Sequence, residues 1–305
     1  MNLTFSHVTK FYGPVIGVND VCCTIGPGIT ALFGANGAGK STLMKLASGQ
    51  LRPSQGDVRI GTLRAWSSRA KRHVGFCPDL NRFYEEMSGR EFVYVMARLS
   101  GYSAREANRR TDDALEEVGM TARGNRKLAG CSHGMRQRIK LAQAMVHDPS
   151  ILLLDEPTSG IDPGGRHDIS ELLARLAQRG KTILVSTHIL REVESLANSI
   201  LMVSAGRLIA SGTLAEIRNL LDSQPFTVRI VTDDPRRLAA LLVEVPVVQS
   251  IQLRLDTLLV RTINPAYFFS ELGNLVRQHG IEVRHLETLD TGAGAVFDYL
   301  QEDAA

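Results

Sequence analysis

The sequence predicts an α/β protein with a mostly parallel core sheet, a helical insertion and a small C-terminal α+β module. Short β-rich runs alternate with segments of helical period through the first two thirds of the chain. Two capping boxes begin helices between the first two runs, and the pattern changes again near residue 225. With 305 residues, 44% of them apolar, the chain can bury one large core and one small one.

Four β-rich runs predict the strands of the core sheet. They lie at residues 28–33, 150–154, 182–186 and 199–203, and helical segments follow three of them. This alternation favours parallel pairing, because each helix carries the chain back across the sheet. We therefore expect a layered α/β domain over residues 1–222.

A helical insertion is predicted over residues 79–146. Ser88 with Glu91 and Ser103 with Glu106 have the spacing of a capping box, in which each side chain bonds to the backbone of the other residue. Each box begins an apolar stripe at helical spacing. The stripes contain Phe92, Val95, Met96 and Leu99 in the first helix, and Ala107, Ala114, Leu115 and Val118 in the second.

A separate module is predicted over residues 224–305, after a hinge at Pro225. Its strands are expected at residues 226–231, 250–255, 258–262 and 281–286. Helical segments separate the first strand from the second and the third from the fourth. The resulting order, β-α-β-β-α-β, is typical of a ferredoxin-like fold.

The helix ends of this module are marked in the sequence. Asp234-Pro235 and Asn264-Pro265 have the residues expected at a helix N-cap and first turn, and Gly280 stands where a helix would end. A short closing helix is predicted around Phe297 and Leu300.

Charge, cysteine content and hydropathy exclude several classes of protein. A net charge of +3 is too small an excess to indicate nucleic-acid binding. The four cysteines have neither C-x-x-C nor metal-ligand spacing, so we expect neither a disulfide framework nor a zinc site, and a reducing cytoplasm fits best. The chain has no secretory signal pattern and no run of about 18 apolar residues, so we expect it to be soluble.

A phosphate-binding loop is predicted in "ALFGANGAGKST". Gly34, Gly39, Lys40 and Ser41 have the spacing G-x-x-x-x-G-K-S/T between a predicted strand and a predicted helix. Backbone N–H groups of such a loop can surround a triphosphate, Lys40 can reach the outer phosphates and the Ser41 hydroxyl can bind Mg²⁺. The residues assigned to the bound triphosphate in this loop are Gly34, Asn36, Gly37, Ala38, Gly39, Lys40, Ser41 and Thr42.

Two later strands end in residues suited to phosphate chemistry. In "ILLLDEPTSGID", Asp155 can hold magnesium through water, and Glu156 can orient an attacking water and accept its proton. In "ILVSTHIL", His188 follows an apolar strand. It either contacts the γ-phosphate and helps to fix the water, or has a structural role.

The segment "CSHGMRQRIK" predicts another phosphate contact. Ser132 precedes residues with helical periodicity, so its hydroxyl and the Gly134 N–H would point from a helix N-terminus towards an anion.

These motifs, in this order, resemble the nucleotide-binding subunit of ATP-binding-cassette (ABC) transporters. The resemblance covers residues 1 to about 220 and implies a P-loop NTPase fold. It also implies that two cassettes enclose two ATP molecules head to tail, so that Ser132 and Gly134 of one complete the phosphate site of the other. Tyr12 would stack on adenine, with Phe11 or a core aromatic role as the alternatives, and Asp162 would lie in the dimer-interface loop.

Two positions depart from the family pattern. His133 replaces the first glycine of the usual Leu-Ser-Gly-Gly-Gln, and either contacts nucleotide in the partner or fills space. Asp79 replaces a glutamine that contacts magnesium and water in the family, and its shorter, charged side chain would change that contact. Asp79 is retained as a metal ligand, with Asn81 as the alternative.

The segment "GRLIASGTLAEI", the β-α-β-β-α-β tail and the closing "GAVFDYLQ" together resemble the drug- and lipid-exporter branch related to the ABCA transporters. The resemblance implies a cytoplasmic protein, peripheral on the membrane, that pairs with a second cassette, most simply a copy of itself, and drives a separate integral membrane permease. No nucleic-acid partner is expected. The alternatives are a soluble mechanochemical ABC ATPase that acts on the ribosome or nucleic acid, and a regulatory cassette with little hydrolysis.

Overall fold

The computed structural model describes residues 1–80, 83–189, 196–219 and 226–289. The chain divides into two units, Met1–Thr213 and Leu214–Ala305, and each is described by itself. The predicted boundary between residues 222 and 224, with its hinge at Pro225, lies outside the described residues and stays a prediction. So do the closing helix around Phe297 and Leu300 and the alternative ligand Asn81.

The first unit contains two sheets and several helices. Its strands are β1 (Leu3–Tyr12), β2 (Val15–Ile25), β3 (Gly28–Phe33), β4 (Gln55–Ile60), β5 (Leu63–Arg64), β6 (Val74–Cys77), β7 (Ile151–Asp155), β8 (Thr182–Thr187), β9 (Ser199–Ser204) and β10 (Arg207–Gly212). Its helices are α1 (Lys40–Ala47), α2 (Ser68–Lys71), α3 (Gly89–Leu99), α4 (Ala104–Glu117), α5 (His133–Met145) and α6 (Pro163–Gln178).

The core sheet has the strand order β10-β9-β3-β8-β7-β6. Its pairs are parallel except at β10, which is antiparallel to β9. Every residue of β7 and β8 is buried, as expected for parallel strands covered on both faces. The predicted parallel α/β core is therefore confirmed.

The register of this sheet gathers the predicted motifs at one edge. Phe33 at the end of β3 pairs with Thr187 at the end of β8, and Asp155 at the end of β7 pairs with Ser186. The phosphate loop, the Asp155-Glu156 pair and His188 therefore all leave the sheet at its carboxyl edge, where open α/β sheets bind ligands.

A second, antiparallel sheet has the order β2-β1-β4-β5. The β1–β2 pairing shifts register between Phe5 and Val8 and again between Val8 and Lys10. Each shift is a β-bulge, which bends a strand and redirects its side chains. Apolar residues of this sheet pack with α1 in one core cluster.

The helical insertion begins at the predicted caps. Ser88 and Glu91 form the complete capping box. The second box is incomplete: Ser103 accepts the Glu106 N–H, but the Glu106 carboxylate bonds to the side chains of Arg109 and Arg110. Because the guanidinium groups are charged donors, they replace the backbone N–H as its partners.

The predicted apolar stripe of the second helix is buried, but that of the first is only partly so. In α3 the buried apolar residues are Phe92, Val93 and Ala97, whereas Val95 and Leu99 are exposed. The predicted stripe of α3 is therefore only partly buried, and Val93, which lies outside the stripe, is buried in its place.

The second unit contains the predicted β-α-β-β-α-β order. It begins with α7 (Leu214–Asn219), followed by β11 (Phe226–Thr232), α8 (Pro235–Val243), β12 (Val248–Arg254), β13 (Thr257–Thr262), α9 (Pro265–His279) and β14 (Val283–Thr288). The sheet is antiparallel, with the order β12-β13-β11-β14. Asp234 and Asn264 cap their helices as predicted, and Gly280 ends α9 with a φ of +64°.

Candidate functional site

A cavity of about 460 Å³ opens at the carboxyl edge of the core sheet. Among its lining residues are many of the predicted site residues: Asn36, Gly37, Gly39, Lys40, Ser41, Thr42, Asp79, Asp155, Glu156 and His188. Five further residues line it: Val15, Ile16, Gly17, Ala35 and Ser159. The structure thus brings the phosphate loop, both carboxylates and the histidine around one space.

The phosphate loop requires glycine at two positions. A Cβ on Gly34 would lie 2.3 Å from the carbonyl oxygen of Val203. Gly39 has a φ of +108°, and a Cβ there would lie 2.8 Å from the carbonyl oxygen of Gly17. Glycine is therefore needed for the close approach of the loop to neighbouring backbone. Gly34 and Ala38 are buried and do not line the cavity.

Lys40 is buried at the base of the cavity, with 7% of its side chain exposed. Its Nζ donates to the carbonyl oxygens of Gly34, at 2.7 Å, and Ala35, at 3.2 Å. It also lies 3.9 Å from Oε1 of Glu156. Burial lowers the pKa of the Lys40 amine, and the charges of Glu156 and Asp155 oppose that effect. An anion in the cavity would further favour the charged amine.

Ser186 connects the two carboxylate residues. Its hydroxyl donates to Oδ1 of Asp155 across 2.6 Å and accepts the backbone N–H of Glu156 across 3.0 Å. Glu156 has a φ of +50°, so the chain bends sharply where β7 ends. Ser186 was not predicted from the sequence, because its role depends on the register between β7 and β8.

His188 contacts Glu156. Its Nδ1–H donates to the two carboxylate oxygens of Glu156, at 2.9 Å and 2.8 Å. The two residues predicted to be catalytic therefore form a pair in which the imidazole orients the carboxylate. A contact between His188 and the γ-phosphate stays a prediction.

Tyr12 lies beside the cavity. Tyr12 is 44% exposed, which rules out a core role. Its ring covers Gly17, because a Cβ on Gly17 would lie 2.7 Å from Cε2 of Tyr12. Lys10 Nζ is 5.7 Å from the ring centroid. Phe11 is similarly exposed, at 40%. Either ring is accessible to a planar ligand, and adenine stacking on Tyr12 stays a prediction.

Asp79 is exposed and lines the cavity, and the side chain of Lys140 hydrogen-bonds to its backbone. Lys140 Nζ donates to the carbonyl oxygens of Pro78, at 2.9 Å, and Asp79, at 3.0 Å. Burial lowers the pKa of the Lys140 amine, and nearby Cys77, Asp79 and Asp155 oppose that effect. Lys140 was not predicted from the sequence, because this contact joins α5 to a segment 61 residues earlier in the chain.

Ser132, Gly134 and Asp162 do not line the cavity of their own chain. Ser132 caps α5 as predicted, its Oγ accepting the Met135 N–H at 3.3 Å, and the space beside Gly134 is open. Asp162 caps α6 by accepting the Gly165 N–H at 3.1 Å. His133 does more than fill space, because its ring bonds to the backbone of Ser159.

Comparison with known proteins identifies the family. A family model described as "ABC transporter" matches residues 18–159. The Nod factor export ATP-binding protein I of Rhizobium johnstonii is 35% identical over 273 residues, which cover 88% of this chain and 87% of that protein. The chain belongs to the family of ABC transporter ATP-binding proteins. NatA of Bacillus subtilis, an ABC transporter ATP-binding protein, is 35% identical over 207 residues, covering 67% of this chain and 84% of NatA.

Solved structures agree with this assignment. A structure described as the ATP-binding subunit of an ABC transporter has a TM-score of 0.67 and 30% identity, covering 72% of this chain and 93% of that one. A dimeric ATP-binding cassette bound to ADP and phosphate has a TM-score of 0.64 and 24% identity, covering 70% and 98%, and supports the fold alone. The predicted ABC cassette, its P-loop NTPase fold and its ATPase class are confirmed.

ABC cassettes bind ATP, form dimers and act with membrane components of a transporter. This cassette is an ATP hydrolase of that class. Within the described ranges of the chain, no helix combines the length and the apolar character that crossing a membrane requires.

Proposed function

We propose that this ABC cassette hydrolyses Mg-ATP in a head-to-tail dimer and thereby drives a separate membrane permease that exports its substrate. The observation that supports the proposal is that only some of the predicted ATP-binding residues line the cavity of their own chain. Lys40, Asp155 and Glu156 surround one cavity, whereas Ser132 and Gly134 lie outside it in the same chain. A second cassette would supply the missing pair.

The cavity suits Mg²⁺ as well as ATP. Ser41 offers a hydroxyl oxygen and Asp155 a carboxylate oxygen, which are the hard ligands that Mg²⁺ prefers, and Asp79, which also lines the cavity, offers a third oxygen donor. When bound, Mg²⁺ would neutralise phosphate charge. Lys40 would turn from the loop carbonyls to the outer phosphates, which accept from its amine.

Glu156 is proposed to orient the attacking water and accept its proton. Its side chain is only 15% exposed, and the hydrogen bond from His188 limits its rotation. A carboxylate held in this way is pre-organised for general base catalysis. His188 would then position Glu156 and contact the γ-phosphate.

The partner cassette is proposed to be a second copy of this chain. Ser132, Gly134 and Asp162 of one copy would meet the nucleotide of the other, and Tyr12 would stack on adenine. The open space at Gly134 supports this arrangement, since an anion could approach the α5 N-terminus closely.

The exporter assignment is supported by the relatives named for Nod factor export. The second unit is proposed to be a ferredoxin-like accessory domain, which its strand order and helix positions support. An ABCA-related branch and a peripheral position on the cytoplasmic face of the membrane belong to the same proposal. Cargo contacts would lie in the permease.

The Glu156→Gln variant tests hydrolysis and dimer closure. It removes the proton acceptor but keeps the side-chain length, so turnover should fall by more than about a hundredfold while ATP binding persists. Size-exclusion chromatography with light scattering should show an ATP-dependent dimer. Glu171→Gln, on the exposed face of α6, serves as the control and should hydrolyse normally. Normal turnover in the Glu156→Gln variant would refute this role.

Affinity purification from detergent-solubilised membranes tests the transport assignment. We expect a multi-span membrane protein to co-purify and to change the rate of ATP hydrolysis. Retention of ribosomes or RNA without any membrane protein would instead support the soluble mechanochemical ATPase.

A further inference from the structure

Three potential metal ligands meet on the antiparallel sheet of the first unit. They are His7 of β1 and Asp20 and Cys22 of β2, and their ligand atoms all lie within 4.8 Å of one another. None of them lines the nucleotide cavity. We propose that His7, Asp20 and Cys22 form a site for a divalent transition-metal ion, with Zn²⁺ as its best-suited occupant.

Two bulges bring these side chains together. Between the pairs Phe5–Cys23 and Val8–Val21, Ser6 and His7 of β1 face the single residue Cys22 of β2. The next register shift adds a residue to β2 at Asp20. His7 and Asp20 both have a φ of +49°, which turns each away from the regular alternation of its strand.

The contacts within the cluster are those of a compact ligand set. Nδ1 of His7 lies 2.9 Å from Oδ1 of Asp20, and the backbone N–H of His7 donates to Sγ of Cys22 across 3.1 Å. A cysteine that binds metal does so as the thiolate. The side chains of His7 and Asp20 are 81% and 68% exposed, so an ion can reach them from solvent.

The ligand atoms of this cluster favour Zn²⁺ over Mg²⁺ and Ca²⁺. One imidazole nitrogen, one carboxylate oxygen and one thiolate sulfur match the borderline character of Zn²⁺, and a water would complete a tetrahedral site. Mg²⁺ and Ca²⁺ take oxygen ligands and would not recruit Cys22. A neutral His7 would bind through Nδ1 as its Nε2–H tautomer, whereas the Cys22 thiol would lose its proton on binding, so affinity would rise with pH.

The neighbouring Cys23 provides a matched control. Successive residues of a strand point to opposite faces, so Cys23 is half-buried where Cys22 is exposed. A metal ligand at this end of β2 is therefore Cys22 and not Cys23.

Spacing alone could not have found this cluster. The cysteines lack metal-ligand spacing among themselves, as the sequence indicated. The ligands come from two strands, and His7 is 15 residues from Cys22 along the chain. Their meeting depends on the strand register and on the two bulges.

Titration of the purified full-length chain with Co²⁺, followed by Zn²⁺ competition, tests the proposal. We expect a thiolate-to-Co²⁺ charge-transfer band that Zn²⁺ removes. Cys22→Ser should abolish the band, and His7→Asn, which tolerates the left-handed backbone, should weaken binding more than about tenfold. Cys23→Ser should behave as wild type. A band that survives in Cys22→Ser, or that is lost equally in Cys23→Ser, would overturn the assignment.

Alkylation provides a second measurement that does not depend on the spectrum. Iodoacetamide should modify Cys22 before Cys23, and Zn²⁺ should slow the reaction at Cys22 by more than about tenfold, as read by peptide mass spectrometry. Equal alkylation of Cys22 with and without Zn²⁺ would contradict the proposal. ATP turnover should be unchanged in Cys22→Ser, because the cluster lies outside the nucleotide cavity.

Discussion

The Nε2–H of His133 donates a hydrogen bond to the backbone carbonyl oxygen of Ser159 across 2.8 Å. His133 is the first residue of α5, and Ser159, which follows Glu156 in the chain, lines the nucleotide cavity. The next residue, Gly160, has a φ of +69°, and a Cβ there would lie 3.1 Å from Nε2 of His133. The start of α5 is therefore hydrogen-bonded to the cavity wall within one chain.

Loss of this hydrogen bond should impair ATP hydrolysis. In His133→Leu the Ser159 carbonyl loses its donor, and a bond of about 1 kcal/mol corresponds to a roughly fivefold lower kcat/KM. His133→Gln, whose amide can donate, should recover part of the activity. Steady-state hydrolysis assays compare the two variants. Equal activity in His133→Leu and wild type would show that the contact does not position the cavity wall.

The parts of the site that follow from local pattern were predictable from the sequence. Each of these parts is a short segment whose functional residues are neighbours in the sequence. They are the phosphate loop, the Asp155-Glu156 strand end and the Ser132 cap. Parallel pairing then brings such strand ends together at one edge. The fold class and most of the cavity therefore follow from the sequence.

Contacts that depend on register or on helix rotation were not predictable. Ser186 bonds to Asp155, 31 residues away, and Lys140 bonds to Asp79, 61 residues away. Glu106 has the spacing of a capping box, yet its carboxylate bonds to arginines one turn further along. In each case a local motif is compatible with several partners, and tertiary packing selects one of them.

Ser186→Ala should weaken both the fold and catalysis. It removes a hydrogen bond to a buried carboxylate, so we expect the free energy of unfolding to fall by about 1.5–3 kcal/mol, and turnover to fall because Asp155 and Glu156 lose their shared partner. Urea unfolding can be followed by the fluorescence of Trp66, the single tryptophan of the chain. Ser199→Ala is the control, since it removes only a hydroxyl pair with Thr30, and it should leave turnover unchanged. Equal effects of the two substitutions on turnover would exclude a positioning role for Ser186.

Asp79 should affect the magnesium requirement through its charge. Its backbone is held by Lys140, so a side-chain substitution leaves the segment in place. Asp79→Asn keeps the length and removes the charge, and Asp79→Gln removes the charge and adds reach. We expect the Mg²⁺ concentration for half-maximal hydrolysis to rise severalfold in Asp79→Asn and less in Asp79→Gln, whose amide oxygen can reach further into the cavity. An unchanged Mg²⁺ dependence in both variants would make Asp79 a loop residue without a metal role.

Ser132→Arg should block hydrolysis without preventing nucleotide binding to the single chain. An arginine at the α5 N-terminus would occupy the space where a partner's phosphates are expected, so we predict a loss of turnover of at least about a hundredfold. Ser103→Arg is the matched control, because Ser103 caps α4 through an equivalent bond and lies outside the proposed interface. Fluorescent-nucleotide binding and hydrolysis assays measure the two effects separately.

Mixing two inactive variants shows whether Ser132 acts on its own chain or on a partner. Lys40→Ala lacks the phosphate-binding amine, and Ser132→Arg lacks the serine that is proposed to contact the partner's nucleotide. In a head-to-tail heterodimer of the two, one site combines both defects, and the other combines an intact Lys40 with an intact Ser132. In an equimolar mixture about half of the dimers are heterodimers, and each heterodimer has one working site out of two. About a quarter of wild-type turnover should therefore return. If each chain completed its own site, every site would carry a defect and the mixture would stay inactive.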